Sequence, residues 1–320
     1  GVLMKSIKLL HTELTVSPLC LGTVNYGTST DEAAALRQMS RYVELVGNFL
    51  DTALIYGIGA GQGQGVSERI VGRWLRETGL RDRVVLSTKG AHPDIKHMDV
   101  PRVKPETIRA DLEQSLKNLG VDCIDLYFLH RDDPAMPVSE ILGALEDAVR
   151  AGKIRYYGCS NWTLPRIREA NAVLGTKGFV CNQLMWSLAD VRREGIPDPT
   201  LVAMDADTRA YQLETGLNAM AYMSVAKGYF MRRMAGDEYR PLLHALYDTP
   251  ENDSMLDVMR QLGLNPLQAS LQYLMCQPFP AVPIASFSSE QQLEDAVRAC
   301  EAAPDAAALA RLGALKRYLA

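Results

Sequence analysis

The sequence predicts an α/β protein folded as a (β/α)8 barrel of the TIM type, with an N-terminal hairpin and extra C-terminal helices. Three observations carry that expectation. A short apolar run, a loop and an amphipathic stretch alternate eight times along the chain. The short runs are largely apolar throughout, as parallel strands buried on both faces must be. The 320 residues and 47% hydrophobic content suit one barrel with a large interior, a fold that often exceeds roughly 250 residues. Eight βα units in succession favour closure over an open doubly wound sheet, and residues 1–320 read as a single domain.

The elements follow in order. Residues Ile7–Thr15 precede the first strand and form a hairpin that plugs one barrel end. Strands are expected at Leu19–Thr23, Asn48–Ala53, Val84–Lys89, Ile124–His130, Ile154–Ser160, Phe179–Trp186, Asn218–Met223 and Ala281–Ser286. The amphipathic stretches between them predict helices at Asp31–Val46, Ser67–Thr78, Lys104–Leu119, Val138–Ala151, Leu164–Leu174, Pro199–Thr215, Pro266–Cys276 and Glu290–Cys300. Pro105 sits where a first helical turn tolerates proline, and Gly120, Gly152 and Gly175 sit where helices stop. Ser224–Gly263 is too long for a bare loop and contains a helix at Ser254–Leu262. A last amphipathic stretch, Asp305–Leu319, packs outside the barrel.

Composition excludes several functions. Formal net charge is −4 with both signs spread along the chain, so no basic block suggests nucleic acid or a membrane surface. The longest apolar runs are strand-sized, too short to span a bilayer. Gly1–Leu3 reads as a short addition ahead of a native Met4, without an apolar signal segment. The six cysteines show no CxxC and no framework spacing, which points to free thiols and a cytoplasmic protein. Oligomeric state leaves no trace in the sequence.

The chemistry sits at strand ends. Asp51, Lys89 and His130 end three successive apolar runs, Tyr56 follows the first of them, and barrel active sites form at the C-terminal ends of strands. An aspartate steadies an ammonium, and an ammonium beside a phenol is expected to lower its pKa from about 10. Such a phenol exchanges protons nearer neutral pH, as carbonyl reduction requires.

In this arrangement the sequence resembles the aldo-keto reductases. Asp51, Tyr56, Lys89 and His130 match that family's catalytic tetrad, each within its own motif, and Ser67-Glu68 with Gly72 resembles the continuation of the Asp/Tyr segment. The likeness covers nearly the whole chain. Gly22-Thr23 resembles the glycine turn after the first strand, and Gly158-Cys159-Ser160-Asn161-Trp162 the segment that holds the carboxamide through Ser160 and Asn161. Asn182–Trp186 is similar to the segment whose Gln183 contacts the nicotinamide while its aromatic, Trp186, stacks on the ring. Ala221–Gly228 resembles the loop along the pyrophosphate, which adds Tyr222, Ser224, Ala226 and Gly228.

The resemblance implies NAD(P)(H)-dependent reduction of an aldehyde or ketone, or oxidation of the alcohol, a sugar among the possibilities. Tyr56 would donate the proton, Lys89 and Asp51 would tune it, and His130 would orient the small-molecule carbonyl. Two alternatives keep the barrel: a cofactor-binding regulatory subunit, and a redox-neutral sugar-modifying enzyme that cycles its cofactor transiently.

At the adenosine end the chain departs from the family. Ala285 and Gln291 stand where many members carry a Lys and an Arg for the 2′-phosphate of NADP(H). Ser286 and Ser288 remain as hydrogen-bonding groups, and Glu294 and Asp295 resemble the adenine-contacting positions. Without those cations a phosphate loses its strongest hydrogen bonds, which leaves NAD(H) and NADP(H) both open. Gly57–Gly65, rich in alternating glycines, lengthens the loop after Tyr56 and suggests a flap over the substrate mouth. His92 and His97 with Asp94 and Asp99 have no metal-ligand spacing and fit the substrate pocket better; no metal is expected.

Overall fold

The computed structural model describes residues 4–174 and 178–318; Gly1–Leu3, Gly175 and Leu319 lie outside them. A two-stranded antiparallel hairpin, β1 (Ile7–Lys8) and β2 (Thr15–Val16), opens the chain. Eight parallel strands then close a barrel: β3 (Cys20–Gly22), β4 (Phe49–Asp51), β5 (Val85–Gly90), β6 (Ile124–Leu129), β7 (Ile154–Ser160), β8 (Cys181–Met185), β9 (Asn218–Tyr222) and β10 (Ala281–Ala285). Around it run α1 (Glu32–Glu44), α2 (Val66–Thr78), α3 (Pro105–Leu119), α4 (Val138–Arg150), α5 (Leu164–Leu174), α6 (Ala206–Thr215), α7 (Tyr229–Ala235), α8 (Pro241–Tyr247), α9 (Pro250–Leu262), α10 (Pro266–Met275), α11 (Glu290–Glu301) and α12 (Ala306–Ala314).

Strand alternation decides what fills the barrel. Successive side chains point to opposite faces, so each strand sends every second residue inward. Cys20, Phe49, Leu126, Phe128, Cys181, Met220, Val282 and Ile284 form the inner cluster, joined from below by Leu9, Leu14 and Val16 of the hairpin segment. The hairpin therefore plugs the barrel, as expected. Register keeps this face in layers: Asp51 pairs with Ser87, Lys89 with Phe128, Phe128 with Gly158, and Ser160 with Gln183. Gly158 is glycine because a Cβ there would meet the carbonyl oxygen of Cys181 at 2.5 Å and the Phe128 ring at 2.6 Å. Opposite-parity residues such as Leu50, Leu86, Leu129 and Leu184 pack against the helices in two outer clusters.

The differences from expectation have local causes. Helix α6 begins at Ala206 rather than Pro199, because Asp205 caps it through the Thr208 N–H. The residues before it run beside β8, with Met185 N–H donating to Val202 O at 3.0 Å and Met204 N–H to Met185 O at 2.9 Å. Helix α9 starts at Pro250, capped by Thr249 with Glu251 and Asp253 in its first turn, rather than at Ser254. The two short helices α7 and α8 were not expected; seven residues give little periodicity to see. Helix α12 stops at Ala314. Cys20, Cys159, Cys181 and Cys300 are buried free thiols, Cys123 is half-buried and Cys276 is exposed. No helix among the described residues is long and apolar enough to cross a membrane.

Candidate active site

The inward face ends, strand by strand, in polar groups. Gly22, Asp51, His130, Ser160, Gln183 and Tyr222 line one cleft of about 390 Å³ at the C-terminal mouth of the barrel, together with Thr23, Tyr56, Ser224 and Ser286. A larger cavity of about 810 Å³ lies around Arg81, Asp125 and Arg155 and contains none of these residues. Size is a poor guide here; the convergence of strand ends is the better one.

Lys89 lies beneath the cleft and is almost wholly buried. Its Nζ donates to Asp51 Oδ2 at 2.6 Å and to the Thr52 carbonyl at 2.7 Å, and stands 4.7 Å from the Tyr56 ring centroid. Asp51 is equally committed: its Oδ1 accepts from Ser87 Oγ at 2.7 Å and from Gln183 Nε2 at 3.2 Å. Burial works against the Lys89 charge, but Asp51 and then Tyr56 hold the ammonium above its ordinary pKa. Thr88, on the outer face of β5, donates to the buried Glu68 at 2.6 Å, and Glu68 also accepts from Asn118, so α2 and α3 brace the strand behind Lys89.

The Tyr56 phenol departs from expectation. Burial pushes its pKa above the ordinary value; Lys89 pulls it down, Asp51 adds to the rise, and the net direction is upward. The ammonium is shared with a carboxylate, so its pull on the phenol is partly spent. At neutral pH the Tyr56 phenol is therefore protonated.

His130 follows β6, its N–H bonded to Gly90 O at 2.9 Å. Burial, then Arg131, His92 and Lys89, drive its pKa well below the ordinary value, so the ring is neutral. Its Nδ1 is buried without a partner among the described residues. The ring stands edge-on to Tyr56, centroids 5.9 Å apart. Arg131, which nothing but its place after His130 singles out in the sequence, also lines the cleft. Arg131 is 7% exposed, and its guanidinium donates to Thr200 Oγ1, Asp198 Oδ2 and the His130 carbonyl.

The expected cofactor residues divide into two groups. Asn161 adopts a left-handed conformation (φ 60°). Its Nδ2 donates to Ser160 Oγ and to His130 O, while its Oδ1 accepts from Val202 N–H and Tyr222 Oη. Gln183 uses Nε2 on Asp51, and its Oε1 has no partner among the described residues. Thr23 Oγ1 donates to Asp51 O and Ser224 Oγ to Ile284 O, tying neighbouring strands together. Ala226 and Gly228 shape the loop after β9 but do not line the cleft; Lys227 between them is exposed and does.

Trp186 requires correction. It is 2% exposed, packed against Phe279 and Tyr273 in an outer cluster, and absent from the cleft. Three residues beyond the inward Gln183, it has the outward parity of Leu184. Besides Tyr56 and His130, the aromatic ring lining the cleft is that of Tyr222, two residues beyond inward Met220. Of the adenosine-end residues Ala285 and Ser286 reach the cleft. Ser288 N–H and Oγ donate to Gln292 Oε1, Gln291 Nε2 to Asp295, Arg298 to Asp295, and Arg41 to Glu294. None of residues 57–65 lines the cleft.

Together these features define a barrel enzyme with a tyrosine poised over a buried lysine–aspartate pair. The family model described as "Aldo/keto reductase family" matches residues 18–317, and the chain belongs to that family. It is 32% identical over 315 residues to an uncharacterized oxidoreductase, YrpG, of Bacillus subtilis (strain 168), covering 94% of this chain and 93% of that protein. An aldo-keto reductase of Schizosaccharomyces pombe, named with NADP(+), is 38% identical over 158 residues, 48% of this chain and 44% of the relative. The structure of an aldo-keto reductase from Bacillus halodurans in its holo form matches with a TM-score of 0.75 at 27% identity, covering 97% of this chain and 96% of that one. The protein is an oxidoreductase acting on carbonyls.

Proposed function

We propose that the enzyme reduces an aldehyde or ketone, or oxidises the corresponding alcohol, using a nicotinamide dinucleotide and Tyr56 as the proton donor in reduction. The observation that carries this reading is Tyr56, protonated at neutral pH, set 4.7 Å above an ammonium that Asp51 holds in place.

The donor set fits a carboxamide. Gln183 Oε1 has no partner among the described residues, the Ser160 hydroxyl has its proton to give, and the Tyr222 ring offers a face in the same cleft. A reduced nicotinamide, when bound, supplies the hydride that adds to the carbonyl carbon. Tyr56 Oη gives its proton to the carbonyl oxygen, and Lys89 stabilises the phenolate until solvent entering the cleft reprotonates it. His130, neutral, donates one hydrogen bond to the same oxygen and fixes its direction.

On cofactor choice, the adenosine end favours no strong selection for a 2′-phosphate. Arg41 is paired with Glu294 and Glu44, and Arg298 with Asp295. Gln291 carries no charge; of the cleft's two cations Arg131 is buried and paired with Asp198, and Lys227 is exposed. The NADP(+) in the name of the Schizosaccharomyces pombe relative argues for NADP(H), so NAD(H) and NADP(H) are both expected to serve. The test is carbonyl-dependent oxidation of NADH and NADPH by the purified protein over a panel of aldehydes and ketones. Turnover with either cofactor is expected. Tight cofactor binding with no turnover of any carbonyl or alcohol would overturn the reading.

A further inference from the structure

Burying a guanidinium is costly unless its hydrogen bonds are met, and Arg131 is buried at the wall of the cleft. Its fork reaches three acceptors. Nη1 donates to the His130 carbonyl at 2.8 Å, Nε to Thr200 Oγ1 at 2.8 Å and Nη2 to Asp198 Oδ2 at 3.3 Å. The first contact is to the end of β6 itself, and the other two are to the segment after β8.

That segment is a tight turn. Asp198 Oδ1 accepts from Thr200 N–H at 2.9 Å and from Thr200 Oγ1 at 2.7 Å, and Leu201 N–H donates to Asp198 O at 3.1 Å. Burial raises the Asp198 pKa, but Thr200 and then Arg131 outweigh it, so the carboxyl is held below its ordinary value and is charged at neutral pH. Leu201 is half-buried and lines the cleft. Val202 N–H then donates to Asn161 Oδ1 at 3.0 Å, and Asn161 Nδ2 reaches the same His130 carbonyl at 3.3 Å. Leu201 thus lies between two anchors, Arg131 before it and Asn161 after it, and both are tied to one atom, His130 O.

We propose that Arg131 is a positioning residue for the reduction: its fork seats the turn Asp198–Val202 against the end of β6, so that the turn walls the cleft beside the carbonyl. The proposal rests on the reading in which Tyr56 and His130 hold the carbonyl oxygen. A lysine is a poor replacement, because an ammonium on a flexible stem cannot span Asp198, Thr200 and His130 O as a planar fork does. If Arg131 acted instead through its charge on the neighbouring rings, lysine would serve nearly as well. A wall that meets ground state and transition state alike contributes to binding and not to turnover, so its loss falls on KM.

The experiment measures carbonyl KM, kcat, cofactor affinity and melting temperature for the wild type, Arg131→Lys, Asp198→Ala and the double variant. Each single change is expected to raise the carbonyl KM by roughly tenfold, with kcat and cofactor affinity within a few fold of wild type. The double variant should be no worse than either single one, because residues acting through one contact are not additive. Single effects that multiply to roughly a hundredfold in the double variant would overturn the proposal. So would a loss confined to kcat, or a lowered melting temperature with KM unchanged. If Arg131→Lys fails to fold, Asp198→Ala decides alone, since Asp198 is partly exposed, and an unchanged KM there overturns the proposal. Failure of the wild type to reduce any carbonyl would defeat the underlying reading, and the proposal with it.

Discussion

Tyr56 keeps its proton because burial outweighs the ammonium beside it. The sign of the pH dependence follows. The donor form is lost as pH rises through a pKa lying above the ordinary tyrosine value of about 10, and a reduced nicotinamide adds no charge to lower it. In reduction, kcat/KM is therefore expected to stay level through neutral pH and fall only on the alkaline side. A pH–rate profile breaking near neutrality would assign the proton to another group. Lys89 is a poorer target for testing the mechanism. Lys89→Met leaves Asp51 buried without its cation, and breaking a buried pair costs roughly 3–5 kcal/mol of stability. Loss of activity there would mix chemistry with folding. At this scale the sequence was legible where a polar residue ended an apolar run, as at Asp51, Lys89 and His130. Arg131 was not, because its contacts come from Asp198 and Thr200 in a distant loop.

Among the elements, strand parity explains both success and failure. Gln183 and Trp186 lie in one motif, yet an odd separation along an extended chain places them on opposite faces. Trp186 packs outside while Tyr222, from the next strand, supplies a ring at the cleft. Helix bounds were readable where a proline marks the first turn, as at Pro105, and misread at Pro199, where the chain instead pairs beside Met185. Helix α11 carries the prediction that belongs to this scale. With Gln291 uncharged and Arg298 tied to Asp295, NAD(H) should bind within roughly tenfold of NADP(H), about 1.4 kcal/mol. Gln291→Arg should move the ratio towards NADP(H) by a similar factor. Fluorescence titration of both cofactors checks it, and a wild-type preference for NADP(H) of roughly a hundredfold would contradict it.

For the whole molecule, the barrel interior is one column of inward residues from the hairpin plug to the polar mouth. Eight alternations in the sequence were enough to read that architecture, because helix and strand periods differ so plainly. The tightness of the column was not legible, since it depends on register between strands far apart in sequence. Gly158 shows this best. Gly158→Ala would press a methyl group against Phe128 and the Cys181 carbonyl, both within 2.6 Å. Overpacking of this kind costs roughly 1–3 kcal/mol. The variant should melt several degrees below the wild type, and an unchanged melting temperature would mean that the layer yields more easily than its packing implies.

The central claim, that the Tyr56 hydroxyl delivers the proton in carbonyl reduction, is tested most directly by Tyr56→Phe. Phenylalanine keeps the ring over Lys89 and removes only the transferable proton. Steady-state kinetics should show kcat reduced by at least roughly a hundredfold, the scale of a lost general acid, with cofactor affinity and melting temperature close to wild type. A folded Tyr56→Phe enzyme with near-normal kcat would contradict the claim.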